Sequence, residues 1–77
     1  MKPYSLIGVD GNAFSVMGYV RDAMRRNGFS KTDIDNYTKD AMSDDYNHLL
    51  VVSMDKIEEV NQKLQDDGLI DEDDENY

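Results

Sequence analysis

Three short clusters in this sequence contain residue types that commonly bind ligands or take part in reactions. The first is Asp10-Gly11-Asn12, which precedes a helix-like segment. Backbone N–H groups at such a helix start can bind a phosphate, and a carboxylate such as that of Asp10 can bind a metal. The plainer interpretation is a capped helix start. It is favoured because a phosphate loop usually has more glycines and a lysine.

The second cluster is basic and combines Arg21, Arg25 and Arg26 with nearby Lys31. These side chains could hold a phosphate, a nucleotide or an acidic partner. Cations at the end of a helix also compensate for the helix dipole, so the cluster has a structural interpretation too. Tyr19 lies off the main apolar stripe and offers aromatic contact area. We predict a partner-binding surface made of Tyr19, Arg21, Arg25 and Arg26.

The third cluster is the acidic C-terminal segment, residues 66–77. It carries seven carboxylates and no basic residue, which leaves only −2 of the net charge of −9 to residues 1–65. Like charges repel one another and rarely pack, so we expect a disordered tail that is dispensable for folding of the 1–65 domain. Leu69 and Ile70 among these acids could form a docking motif. The alternative is a tail that only keeps the chain soluble.

Catalytic and metal chemistry find little support in the composition. The chain has no cysteine and a single histidine, His48, which cannot build a histidine zinc site alone. The serines show no triad order, and the carboxylates fall at helix caps, exposed helix positions or the tail. A catalytic carboxylate needs a pocket that shifts its pKa. We therefore predict a protein that is not an enzyme and uses no metal or cofactor.

The length and charge of the chain limit the cellular roles that it could have. The 77 residues make one domain at most, and no run approaches the roughly 20 apolar residues of a membrane span. The N-terminal start is too short and too weakly apolar for a signal peptide, so the cytoplasm is the expected location. Direct nucleic-acid binding is disfavoured because residues 1–65 are not net basic. Small chains without disulfides or metals often self-associate, which favours a homo-oligomer.

The first predicted helix covers about residues 11–27. Its apolar residues recur with a period of 3.6. They are Ala13, Val16, Met17, Val20 and Met24, with Phe14 widening the stripe. Asp10 is the expected cap, and Gly28 is expected to end the helix in the left-handed conformation. Glycine inside a helix costs roughly 1 kcal/mol relative to alanine, so Gly18 predicts a close helix contact, within the chain or between two copies.

The second predicted helix covers about residues 31–42. Ser30 is the expected cap, and Phe29 with Ile34 makes a hydrophobic staple around it. Tyr37 and Ala41 continue the apolar face begun by Ile34. The face ends beside Met42, near the predicted end of the helix.

Residues 43–65 fit two interpretations. A helix capped by Ser43 or Asp44 would place most of the apolar side chains on one face, with Ser53 as a small gap. These are Tyr46, Leu49, Leu50, Met54, Ile57 and Leu64, with Val60 at the edge. This helix is favoured, and it predicts that Met54 is buried, with Leu49, Leu50 and Ile57, and that Val52 is comparatively exposed. The β-prone composition of residues 48–52 leaves a short strand as the alternative.

These elements predict a mainly α fold, a small three-helix domain. It is preceded by a short extended lead over residues 4–9 and followed by the disordered acidic tail. The alternative fold is α+β, with a short strand at residues 48–52.

Three strings in the chain resemble a family of small phage and prophage proteins. They are residues 6–18, LIGVDGNAFSVMG, residues 23–29, AMRRNGF, and residues 45–50, DYNHLL. The resemblance spans about residues 6–60 and does not include the acidic tail. It implies no established activity and transfers no catalytic or binding residue. It does imply a context, since a small cysteine-free phage protein often binds a host protein or counters a defence system.

The sequence therefore predicts a non-catalytic, phage-type accessory protein that occupies or sequesters a host or defence partner. One alternative is a binder of a nucleotide or signal molecule at an oligomer interface, with Asp10, Gly11 and Asn12 as ligand-binding residues. Another is a structural or assembly component.

Overall fold

The computed structural model describes residues 2–70, which fold into three helices. Helix α1 spans Ala13–Arg26, α2 spans Lys31–Ala41 and α3 spans Tyr46–Asp66. Each helix packs against the other two. The predicted mainly α, three-helix class is confirmed. The alternative of a strand at residues 48–52 is wrong, since this segment lies within α3.

The helix starts differ in part from the predicted caps. The side chain of Asn12 caps α1 by accepting from the N–H of Phe14 at 2.8 Å. The predicted cap, Asp10, instead accepts from the N–H of Asn12 at 3.0 Å, because the helix begins later than predicted. Ser30 caps α2 as predicted, at 3.0 Å from the N–H of Asp33.

The start of α3 also needs a correction. Asp45 caps it by accepting from the N–H of His48 at 2.9 Å, whereas Ser43 and Asp44 were the predicted caps. The end of α1 follows the prediction. Gly28 adopts φ +82°, and the N–H of Phe29 donates to the carbonyl of Met24 at 3.0 Å.

The core lies where the three helices meet, and within residues 2–70 it consists of twelve buried apolar residues: Val16, Met17, Val20, Ala23, Met24, Ile34, Tyr37, Ala41, Leu49, Ile57, Val60 and Leu64. Two residues expected near this core are exposed instead. Phe14 is 75% exposed because it lies about 120° around the helix from Val20. Met42 follows the last residue of α2 and is exposed too.

The buried face of α3 is rotated from its predicted position. Ser53 and Val60 are fully buried at its centre. Met54, predicted to be core, is 56% exposed because consecutive helix residues lie about 100° apart. Leu50 and Val52 are each half-buried, one on either side of the buried face. The prediction of a buried Met54 and an exposed Val52 is therefore wrong.

The N-terminal lead is held against α3 and α1 rather than simply extended. The N–H of Tyr4 donates to Oδ1 of Asn61 at 2.8 Å, and Nδ2 of Asn61 donates to the carbonyl of Tyr4 at 2.9 Å. A turn follows, in which the N–H of Val9 donates to the carbonyl of Leu6 at 3.1 Å. Gly8 allows this turn with φ +87°.

The folded part continues to residue 70 rather than ending at residue 65. Gly68 adopts φ +74°, and the N–H of Leu69 donates to the carbonyl of Leu64 at 2.8 Å. Ile70 packs partly buried against the core. The rest of the predicted tail, residues 71–77, lies outside the described residues. No helix within residues 2–70 is long and apolar enough to cross a membrane.

Candidate binding surfaces

The Asp10-Gly11-Asn12 segment is occupied by structural contacts. The side chains of Asp10 and Asn12 accept backbone hydrogen bonds at the start of α1. The carbonyl of Gly11 accepts a hydrogen bond from the Tyr46 hydroxyl. This bond ties the segment to the first residue of α3. Within residues 2–70, no three candidate metal-binding side chains lie together. The segment acts as a fixed helix start, and nothing in its geometry points to a bound ligand.

Tyr19 is half-buried and holds the N-terminal lead. Its hydroxyl accepts from the N–H of Ser5 at 2.9 Å. Its ring meets that of Tyr4 edge-on, with centroids 6.0 Å apart and planes at 76°. Helical geometry places Tyr19 about 160° around α1 from Arg21. The structure therefore places Tyr19 on the opposite side of α1 from Arg21, whereas Arg26, seven residues after Tyr19, lies on nearly the same side of the helix.

The three predicted arginines are exposed but do not share one environment. Arg25 and Arg26 both pair with Asp22, at 3.2 and 2.9 Å. Arg21 forms no ion pair within residues 2–70. Arg21 and Arg25 line a depression against α2, whereas Arg26 does not.

The predicted docking pair at the C-terminus is divided between solvent and core. Leu69 is largely exposed, and Ile70 packs partly against the core. The contact of Ile70 with the core holds the last described residue against the helices.

His48 connects the end of α2 to the start of α3. Its Nε2 donates to the carbonyl and the carboxylate of Asp40, both at 3.0 Å. The hydrogen bond to the Asp40 carboxylate raises the pKa of His48 above its ordinary value. The histidine therefore stabilises a turn, which fits the plain interpretation of a half-buried surface residue.

An apolar groove between the lead and α3 is a site that the sequence did not predict. It has a volume of about 450 Å³. This site is called here the apolar groove. It is lined by Tyr4, Ser5, Leu6, Ile7, Leu50, Met54, Ile57, Glu58 and Asn61. Ile7 is 93% exposed, the largest exposure of any large hydrophobic residue within residues 2–70. The sequence feature that could have indicated this groove is the apolar face of α3, which is wider than packing against the core alone requires.

Gly18 lies on an open face of α1. A Cβ at this position would meet nothing within 4 Å, so the predicted close contact within the chain is wrong. The contact between two copies stays a prediction, and exposed Phe14, one turn earlier, would add apolar area to it. We expect sedimentation at micromolar concentration to give at least twice the 8.8 kDa chain mass. Gly18→Leu should shift the species towards monomer and lower the melting temperature.

Gly18→Ala is the matched control for this prediction. It adds only a methyl group and should stabilise the isolated helix by about 1 kcal/mol. A monomer at every concentration, with Gly18→Leu as stable as the native chain, would contradict the dimer.

Among the depressions on the surface of residues 2–70 are the apolar groove and the basic depression between α1 and α2. Comparisons of the chain with protein-family models, with curated proteins and with solved structures find no match. A functional proposal therefore depends on the chemistry of these two surfaces.

Proposed function

We propose that this chain is a non-catalytic, phage-type accessory protein that binds and sequesters a host or defence protein through the apolar groove. The observation that carries the proposal is the exposure of Ile7 and Met54 beside half-buried Leu50 around one concave surface. Clustered exposed apolar side chains are typical of protein contact sites. The resemblance to small phage and prophage proteins supports the phage context.

The polar groups of the groove favour binding over catalysis. Asn61 uses its amide in both directions on the backbone of Tyr4. Glu58 supplies the one carboxylate of the lining, at an exposed position. General acid–base catalysis needs a side chain held in place beside the reacting group, and the described lining offers a single exposed carboxylate with no histidine. The groove therefore offers apolar contact area and a negative rim.

The apolar lining and the negative charge of the groove together indicate the kind of partner that it would bind. Glu58 and the net charge of −9 favour a partner segment with apolar side chains flanked by basic residues. Such a segment would bury its apolar side chains against Ile7, Leu50 and Met54. Groove-to-groove pairing of two copies is opposed, because it would bring the Glu58 carboxylates of the two copies together.

A direct binding measurement tests the groove. The probe is a labelled amphipathic peptide of leucine and lysine, followed by fluorescence anisotropy. Met54→Glu and Ile7→Glu should each weaken binding at least tenfold, because a charge would have to be buried on docking. Val51→Glu is the matched control, since Val51 is 57% exposed on the same helix but does not line the groove. Equal losses in Val51→Glu and Met54→Glu would contradict the proposal.

Affinity purification then tests sequestration. The native chain, Met54→Glu and Val51→Glu serve as baits in extracts of an infected or native host, with mass spectrometry as the readout. We expect a host or defence protein that the native chain and Val51→Glu recover and Met54→Glu does not. Recovery of virion proteins by all three baits would instead favour an assembly component.

A further inference from the structure

The chain concentrates its positive charge on one surface, although acidic residues outnumber basic ones by 17 to 8. Two adjoining depressions between α1 and α2 share Arg21 and Asp35. Together they are called here the cationic groove, lined by Arg21, Arg25, Phe29, Lys31, Ile34, Asp35, Thr38, Lys39 and Met42. The groove thus gathers four of the eight basic residues around a single carboxylate. It shares no residue with the apolar groove.

Two of these four cations are available to a partner. Lys31 pairs with Asp35 at 2.8 Å, and Arg25 pairs with Asp22 at 3.2 Å. Neither Arg21 nor Lys39 forms an ion pair within the part of the chain that the structure describes. Arg21 and Lys39 line the same depression as Asp35. The hydrogen bond from Lys31 lowers the pKa of Asp35, and the positive charges of Arg21 and Lys39 lower it further.

The groove has apolar contact area as well as charge. Phe29 and Ile34 contribute to one depression and exposed Met42 to the other. Lys31 and Lys39 mark its length along α2, which is about 12 Å at the rise of an α-helix. This length accommodates about four residues of extended peptide. The site therefore matches a short segment that combines acidic and apolar side chains.

We propose that the cationic groove binds a short acidic peptide segment of a partner protein, with Arg21 and Lys39 holding carboxylates and Met42 contacting an apolar side chain. Arginine suits this role because its guanidinium can bind a carboxylate through two parallel hydrogen bonds. A nucleic acid is the less favourable occupant. Its dense, continuous phosphate charge would be repelled by a chain of net charge −9 over far more than the groove.

Fluorescence anisotropy with a labelled peptide of alternating glutamate and leucine tests this assignment on the full chain. Arg21→Gln and Lys39→Gln should each weaken binding about tenfold, the effect of losing one charge-assisted contact. Added salt should weaken binding as well. Arg26→Gln is the matched control, because Arg26 lies beside Arg25 on α1 but does not line the groove, and it should leave the affinity within about twofold.

Four results would overturn the proposal. Equal binding of a peptide with glutamine in place of glutamate would show that the negative charge of the peptide does not contribute to binding. Equal losses of affinity in Arg26→Gln and Arg21→Gln would show that the cationic groove is not the binding site. Tighter binding of single-stranded DNA than of the peptide, with the same sensitivity to Arg21→Gln, would assign the groove to nucleic acid. Peptide binding seen only when Asp71, Asp73 and Asp74 are replaced by asparagine would make the chain's own C-terminal segment the occupant.

Discussion

Leu64→Ala is expected to lower the free energy of unfolding by about 2–5 kcal/mol. The Leu64 side chain is only 1% exposed and belongs to the core, so its removal leaves a cavity that the neighbouring helices cannot close fully. A chain of this size has a total stability of roughly 0.05–0.15 kcal/mol per residue. The loss is therefore a large part of the total. Urea denaturation followed by far-UV circular dichroism measures it.

Leu69→Ala is the matched control for this substitution. Leu69 is also a leucine near the end of α3, but it is 53% exposed, and its loss should change the stability by no more than about 0.5 kcal/mol. If Leu64→Ala were equally mild, the C-terminal part of α3 would not pack on the other two helices.

The first two helices could be predicted well because their signals are local. Each has an apolar stripe at helical spacing, and each is bounded by residues with a specific backbone role. Ser30 accepts a backbone N–H at the start of α2, and Gly28 takes the left-handed conformation after α1. These interactions join residues within one turn, so the sequence alone contains them.

The phase of α3 could not be predicted in the same way because a polar residue lies at the centre of its buried face. The predicted stripe counted Met54 as a core residue and treated Ser53 only as a small gap. Its hydroxyl is instead satisfied by Tyr37, sixteen residues earlier in the chain. A hydrogen bond between two helices leaves no trace in the periodicity of either one.

The candidate sites were only partly predictable for a related reason. The apolar groove exists because Tyr4 is bonded to Asn61, 57 residues later, and this contact lays the lead beside α3. The cationic groove was half predicted. Arg21 and Arg25 belong to one helix and one cluster, but Lys39 joins them only through the packing of α2 on α1.

Removing one partner of the buried hydrogen bond between Tyr37 and Ser53 is expected to destabilise the fold by about 1–3 kcal/mol. The two hydroxyl oxygens lie 2.7 Å apart, and both residues are buried. Ser53→Ala leaves the phenol hydroxyl without its partner in the core. Tyr37→Phe should cost less, because a serine hydroxyl in a helix can turn to a carbonyl of its own helix.

A double-variant cycle isolates this bond. The double variant, Tyr37→Phe with Ser53→Ala, removes both hydroxyls and should be more stable than the sum of the single losses predicts. Urea denaturation of the four proteins gives the coupling. Strict additivity would show that the hydrogen bond contributes nothing beyond the packing of the two side chains.

The same site should make the stability depend on alkaline pH. Burial raises the pKa of the Tyr37 hydroxyl above its ordinary value of 10.0. The unfolded chain then loses this proton first, so it binds fewer protons than the folded chain, and stability falls as the pH rises from 10.0 through the pKa of the folded state. Tyr37→Phe should show a shallower loss than the native chain in this range. An identical loss in both proteins would show that Tyr37 does not cause the alkaline sensitivity.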